Sequence, residues 1–276
     1  MSVPVYIIGT DAIIGNDPDF RSFLTPAESR RMGKMLKRAV VTTGNALKKA
    51  GIAEPDTVVV ATGYGCWGNT ESILKEMAAD ASAAMPTAFM QSTHNTIASA
   101  LAIRGRWHGY NSTVSNGPLS FECALCEAWA RMQLGKSRTA LVGAYEEFTD
   151  TLRLSMRADV GLPVEFSDCA AAFVLSADDG ACADVYVDNI LLGDNINIKA
   201  LYAIGVEAVF VPYPTDDIHS AGLPVIAVAP VYGYSYVHGA LGMMKAMESL
   251  INGTYRTVAW VNASATSMTA IIMKRK

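Results

Sequence analysis

The sequence predicts an α/β protein built as two halves, and three observations carry that prediction. Apolar, strand-like runs alternate with segments of helical periodicity along the chain. The stretch STVSNGPLSFECALCEAWARMQLGK, residues 112–136, reads as a strand that ends in a tight turn and launches a helix. A second alternation begins near Phe166, with no low-complexity linker before it.

The elements follow in order. Residues 3–8 form a first strand, and 26–51 a helix whose Arg30, Arg31, Lys34, Lys37 and Arg38 make a basic, exposed face. Residues 57–61 are a buried strand running into a glycine turn, followed by helix 71–84 and by helix 90–104, capped near Ser92 or Thr93. In the strand–turn–helix, Pro118 suits the first helical position, with Asn116 or Gly117 as the cap. Phe121, Leu125, Ala128, Trp129 and Met132 then recur at helical spacing. Strand 139–143 follows. In the second half, strand 170–176 turns at 178–181 into strand 182–190. Short buried strands at 201–211 and 223–229 precede helix 239–250, and strands 257–262 and 270–273 close the chain. The halves span 1–165 and 166–276 and pack as one structural unit. Trp107, Tyr110 and Val114 beside Asn111, Ser112 and Thr113 suit an edge strand that pairs across a two-fold or pseudo-two-fold axis.

Composition excludes several functions. The chain has 276 residues, 51% of them apolar and 17% charged, enough for a large core and for an apolar face given to a partner. A net charge of −4 and a pI near 5.6 argue against nucleic acid or an anionic membrane as the main partner. No stretch approaches the roughly 18 uncharged apolar residues of a membrane span. Asp11 interrupts the first apolar run, which reads as a strand and not a signal peptide. Five cysteines, an odd number in a long chain, fit free thiols in a reducing cytoplasm.

Local patterns divide into packing and chemistry. Gly63-Tyr64-Gly65-Cys66-Trp67-Gly68 spells G-x-G-x-x-G, but the segment after it offers no strand with an acidic residue about 20 residues on, so it reads as a structural turn. Cys123 and Cys126 form a C-x-x-C inside a helix, beside core positions and away from the N-terminus where a thiolate is stabilised. They read as packing residues. His94, His108, His219 and His238 are dispersed, and no metal site is expected.

Read together, TVSNGPLSFECALCEAWARMQLGKSRTALVGAYEE resembles the nucleophile elbow of β-ketoacyl-acyl carrier protein synthases, members of the thiolase-like superfamily. Gln133-Leu134-Gly135-Lys136 and Gly143-Ala144-Tyr145-Glu146-Glu147 stand where that family has a Q-x-G-like turn and G-G-x-E-E. TGYGCWGNTESIL (62–74), EFSDCAAAFVLS (165–176), YVHGALGMMKAMESL (236–250) and VNASATSMTAIIMK (261–274) are similar to four further segments, in the same order. The resemblance implies a five-layered αβαβα fold of two pseudo-equivalent halves. It has no counterpart for 186–222, and the chain is shorter than a complete condensing enzyme.

The chemistry of that family does not carry over. A condensing enzyme uses a cysteine thiolate to take an acyl chain from a phosphopantetheine thioester, and two histidines, one ordered by a lysine, for decarboxylation. Counting back from Gln133-Leu134-Gly135, the resemblance sets the nucleophile at Pro118. Matching Gly239-Ala240-Leu241-Gly242 sets the second histidine at Tyr236 and the lysine at Val231. A shifted register would offer His238, and the first histidine's segment has at most a remnant at Val206-Glu207-Ala208-Val209. Ser115 and Ser120 flank the elbow, and either needs a base to accept an acyl group.

The resemblance therefore implies a cytoplasmic, non-catalytic subunit of the chain-length-factor type. It would pair with a full-length ketosynthase, or with itself, and shape the acyl tunnel in fatty-acid or polyketide-type biosynthesis. The association is with aryl-polyene or flexirubin-type clusters. No cofactor is implied, because substrates ride on acyl carrier protein. The alternatives are a divergent, active synthase or acyltransferase using Ser115, Ser120 or His238, and a homodimeric scaffold or acyl-binding module.

Overall fold

The structure is a computed structural model that describes residues 3–79, 89–160, 165–178, 183–213 and 222–276. The first set of elements is β1 (Val5–Ile13), α1 (Pro26–Arg31), α2 (Lys34–Ala50), β2 (Thr57–Ala61), α3 (Trp67–Ala79), α4 (Thr96–Gly105), β3 (Tyr110–Val114), α5 (Ser120–Gln133), β4 (Thr139–Glu146), α6 (Asp150–Val160) and β5 (Cys169–Ser176). The second is β6 (Val185–Gly193), α7 (Ile198–Ala203), β7 (Ala208–Val211), β8 (Val225–Ala227), α8 (Ala229–Tyr232), α9 (Gly239–Ile251), β9 (Thr257–Ala263) and β10 (Met268–Arg275).

The strands hydrogen-bond in the order β3-β2-β4-β5-β1-β6-β10-β9-β7-β8. Read outward from the β1–β6 junction, the second run repeats the first: β6 stands for β1, β10 for β5, β9 for β4, β7 for β2 and β8 for β3. Strand directions repeat as well. β2 is parallel to β3 and β4, as β7 is to β8 and β9, while β5 and β10 each pair antiparallel with both neighbours. Two mixed half-sheets result, joined through only two residue pairs, Val5↔Val187 and Tyr6↔Tyr186.

Three apolar clusters place the layers. α5 and α9 pack with one face of each half-sheet, through residues such as Phe121, Leu125, Val59, Phe173, Met243, Phe210 and Trp260. α2 and α4 cover the opposite face of the first half-sheet, and α7 that of the second. The order is α2/α4, sheet, α5/α9, sheet, α7: the five-layered αβαβα arrangement. β2 shows why the sequence allows it. Its run TVVVA sends Val59 and Ala61 to the central cluster and Val58 and Val60 to the outer one, so both faces are buried.

Several local expectations are corrected. The helix expected over 26–51 is two helices, broken at Met32, whose backbone is extended, and Gly33. Thr25 and Glu28 form a capping box that starts the first one. Arg38 is not on an exposed face; it is buried against Asp17 and Asp168, which helical spacing cannot reveal. α4 begins after Asn95, beyond the expected cap at Ser92 or Thr93. The strand expected over 201–211 starts only at Ala208, the earlier part being α7. The sequence gives no sign of α6. Strand 170–176, expected to open the second half, pairs with β1 and β4 and so sits in the first half-sheet. The tail of helix 71–84, the 179–181 part of the expected turn, and His219 lie outside the described residues.

Candidate functional site

The elbow joins β3 to α5. Gly117 takes a left-handed backbone (φ 51°), where a side chain would be strained. A single 3-10 turn, Gly117–Leu119, follows with Pro118 inside it, and α5 starts at Ser120, two residues after the helix start expected at Pro118. Pro118 brings neither a nucleophile nor a backbone N–H to this corner. Its carbonyl accepts from Asn262 Nδ2 at 2.9 Å, which ties the elbow to β9 of the other half.

The residues flanking Pro118 are engaged. Ser120 is fully buried; its hydroxyl donates to Gly117 O (2.7 Å) and accepts from Asn116 N (2.9 Å), so it acts as a cap. Ser115 is exposed and donates to Gly63 O at 3.0 Å. Cys123 and Cys126 are half-buried on α5; Asn116 Nδ2 lies 3.2 Å from Cys123 Sγ, and burial pushes the Cys126 thiol up.

The glycine turn after β2 faces the elbow through Ser115 and does open a helix, α3. Its amides are already taken. Glu146, fully buried, accepts from Gly63 N (2.6 Å), Tyr64 N (3.0 Å) and Thr62 Oγ1 (3.4 Å), and Glu147 accepts from Gly68 N (2.9 Å). Two carboxyl groups of the chain itself sit where a dinucleotide's phosphates would have to bind. Burial raises the Glu146 pKa to about 8, against the pull of its three donors.

Tyr236, which the resemblance sets at the second histidine, lies across this turn. Its ring stacks on Tyr64 (centroids 5.3 Å, 18° between planes), and a Cβ on Gly63 would come within 2.6 Å of Tyr236 Cδ2. Tyr64 meets Trp67 edge-on, and Tyr236 meets Tyr234, which continues to Tyr213 and to Phe166 and Phe148. Aromatic packing therefore surrounds the position, and Gly63 is small because the ring needs the space. Val231, set at the lysine, is an exposed residue of the short α8. Val206 is buried, and Glu207 Oε2 accepts from Arg256 N at 2.7 Å.

His238 is buried just before α9, with Nδ1 toward Ser235 O, its ring 4.6 Å from Tyr234 and 5.8 Å from Trp260. Burial lowers its pKa to about 4, so the imidazole is neutral near pH 7. Its bonded nitrogen is committed to Ser235 O, while the Ser115 and Ser120 hydroxyls donate to Gly63 O and Gly117 O, so the three do not form a nucleophile–base pair. A group that sequence reasoning missed lies below Pro118: Glu122, on the first turn of α5. It is fully buried, and its Oε1 accepts from Trp260 Nε1 (2.7 Å) and Asn262 Nδ2 (2.9 Å). Burial raises its pKa to about 7. The only signal in the sequence is a lone acid between Phe121 and Leu125 on an apolar helix face. Among the described residues no His, Cys, Asp and Glu group could hold a metal ion, and no helix is long and apolar enough to cross a membrane.

Residues 11–191 match the family described as the β-ketoacyl synthase N-terminal domain. No curated protein matches the chain. Among solved structures, the chain is similar to one chain of the AntDE:AntF complex (apo), a type II PKS acyl-carrier protein in complex with its ketosynthase bound to the hexaketide (TM-score 0.86, 15% identity, 98% of this chain and 99% of that one). It is also similar to a β-ketoacyl synthase from Burkholderia phymatum STM815 (TM-score 0.81, 14% identity, 100% of both chains). A third is the ishigamide ketosynthase/chain length factor (TM-score 0.79, 17% identity, 99% of both chains). At these identities the likeness establishes the fold.

Proposed function

The chain belongs to the β-ketoacyl synthase family, and from that premise we propose that it is a non-catalytic, chain-length-factor-type subunit. In this reading it pairs with an active β-ketoacyl-acyl carrier protein synthase in the cytoplasm and shapes its acyl tunnel, in biosynthesis of the aryl-polyene or flexirubin type. The observation that carries the reading is the elbow itself. Its strand, left-handed glycine and buried helix are kept, while the apex is Pro118, which offers no atom that can hold an acyl group. Tyr236 and Val231 extend the same loss to the other two positions. The similar structures with a chain length factor and with an acyl-carrier protein support this class of partner. We place the division between the halves in 177–184, after β5, because the strand order repeats from β6.

A divergent, active synthase or acyltransferase is the second reading, and Ser115 favours it most, as the exposed hydroxyl at the elbow. Ser120 and His238 are poorer substitutes, since one hydroxyl caps a turn and the other ring is buried. The two readings separate on co-purification with a ketosynthase that retains Cys, His and His. Stable association without condensation by this chain alone supports the partner role; condensation by this chain alone overturns it.

Pairing would use β3, which ends the sheet order. Tyr110 N donates to Asp56 O and Val114 O accepts from Thr62 N, so residues 110, 112 and 114 bond inward to β2. In a parallel ladder the alternate residues, Asn111 and Thr113, then direct their amides outward. Thr113→Pro is expected to abolish association in light scattering while circular dichroism stays native. Ser112→Pro removes an inward bond instead and is expected to lower stability. Unchanged association of a folded Thr113→Pro would place the interface elsewhere.

A further inference from the structure

Arg131, near the end of α5, is a cation without an anion at the edge of the sheet. Its Nε donates to Thr57 Oγ1 of β2 at 3.2 Å, and its guanidinium lies over the ring of Tyr110 in β3, 3.7 Å from the centroid. Both contacts are to neutral groups, and among the described residues it has no other partner. Glu127, one turn earlier on α5, stands where an intrahelical ion pair is favoured, yet it does not reach Arg131. It lies by Ser112 of β3, whose hydroxyl is 3.4 Å from Glu127 Oε2. The stack and the Nε bond hold the guanidinium in place and leave both Nη groups to donate elsewhere.

This fork stands on the edge through which the chain would pair. β3 ends the sheet order, and Tyr110, its first residue, is 41% exposed. Side chains alternate along β3. Asn111 reaches Ala98 O of α4, while Tyr110 and Ser112 share the α5 face. A strand added to β3 would lie about 4.8 Å away. Its residue opposite Tyr110 would project onto that same face, beside the ring and the guanidinium. Such a strand covers Arg131, and a cation covered without a counter-charge is strongly unfavourable.

We propose that the partner strand at β3 presents a carboxylate beside Tyr110, which accepts from Arg131 Nη1 and Nη2 as a two-pronged pair. The inference rests on the partner reading and names what that partner must bring, an acid at this end of its strand. A second copy of the chain does not bring one with a full ladder. Two-fold pairing over all five residues of β3 is centred on Ser112 and sets the copy's Val114 opposite Tyr110. The copy's Glu127 then lies a strand spacing beyond this chain's own, which already fails to reach Arg131. Sliding the pair by two residues brings that acid opposite Arg131, but only residues 110–112 of each strand remain paired.

Affinity for a ketosynthase that retains Cys, His and His tests the proposal, measured by sedimentation velocity beside Thr113→Pro. Arg131→Met keeps an apolar stem on Tyr110 and removes the charge. It is expected to weaken the complex by about 30-fold or more and to flatten its dependence on salt. Arg131→Lys keeps the charge without the fork and is expected to fall between. Circular dichroism of each variant alone controls for folding; should Arg131→Met not fold, Arg131→Lys and the salt dependence of the wild type decide. Unchanged affinity and salt dependence in a folded Arg131→Met overturn the proposal, and the edge still stands if Thr113→Pro abolishes the complex. A complex that survives Thr113→Pro overturns the edge and the proposal together, and a wild type that binds no synthase overturns the partner reading itself. If the wild type alone forms a dimer that Arg131→Glu breaks and the double exchange of Glu127→Arg with Arg131→Glu restores, the occupant is a second copy and the proposal fails.

Discussion

Asp168→Ala is expected to lower stability by about 2–4 kcal/mol, read by chemical denaturation, because it takes the acceptor from the buried Phe148 N and leaves Arg38 with Asp17 as its one carboxylate. Asp168 precedes β5 and is almost completely buried. Its Oδ2 accepts from Lys34 Nζ at 2.7 Å and Arg38 Nη1 at 3.5 Å; its Oδ1 accepts from Phe148 N at 2.9 Å and Arg153 Nη2 at 3.4 Å. The decisive partner is Arg38, whose side chain is 2% exposed and whose remaining contacts are Asp17 and Gly15 O. Lys34, half exposed, can turn to water, so Lys34→Ala is expected to cost no more than about 1 kcal/mol. Asp168→Asn keeps an acceptor for Phe148 N and should fall between the two. A loss under about 1 kcal/mol for Asp168→Ala would mean that Arg38 finds water, and the account of this network would fail.

Trp260→Ala is expected to cost about 3–5 kcal/mol, for a different reason. The indole is fully buried among α5, α9 and β9, and Gly242 leaves it room, since a Cβ there would collide with Trp260 Cζ3. Truncation leaves a cavity that two packed half-sheets cannot close, and it removes a donor from Glu122. Trp260→Phe keeps most of the volume and loses only the N–H, so about 1 kcal/mol is expected. Equal losses for Phe and Ala would assign the effect to the hydrogen bond and not to packing.

The regular layers are readable because the strands buried on both faces, such as TVVVA and CAAAFVLS, announce themselves by continuous apolar runs. The helix after the elbow is readable from its periodicity. What escapes is everything decided by distant partners. Arg38 reads as one more cation on a basic helix until Asp168, 130 residues on, is brought beside it. The place of strand 170–176 in the first half-sheet depends on pairing with β1, which its own residues do not encode. α6 is polar on average, and the residues it buries, Leu152 and Met156, are too few to mark a helix by periodicity. At the site, Pro118, Tyr236 and Val231 are legible as substitutions within a resemblance. Glu122 is not, since a single acid in an apolar helix signals nothing until Trp260 and Asn262 arrive from β9.

Intact-protein mass spectrometry after incubation with acyl- and malonyl-acyl carrier protein tests the central claim most directly, because every condensing route of this family passes through an acyl group on the elbow. With Pro118 at the apex, Ser120 buried as a cap and the Ser115 hydroxyl donating to a carbonyl instead of a base, the account predicts a single species at the unmodified mass. A stable acyl adduct mapped to Ser115, Ser120 or any cysteine would contradict it and make this chain a working acyltransferase.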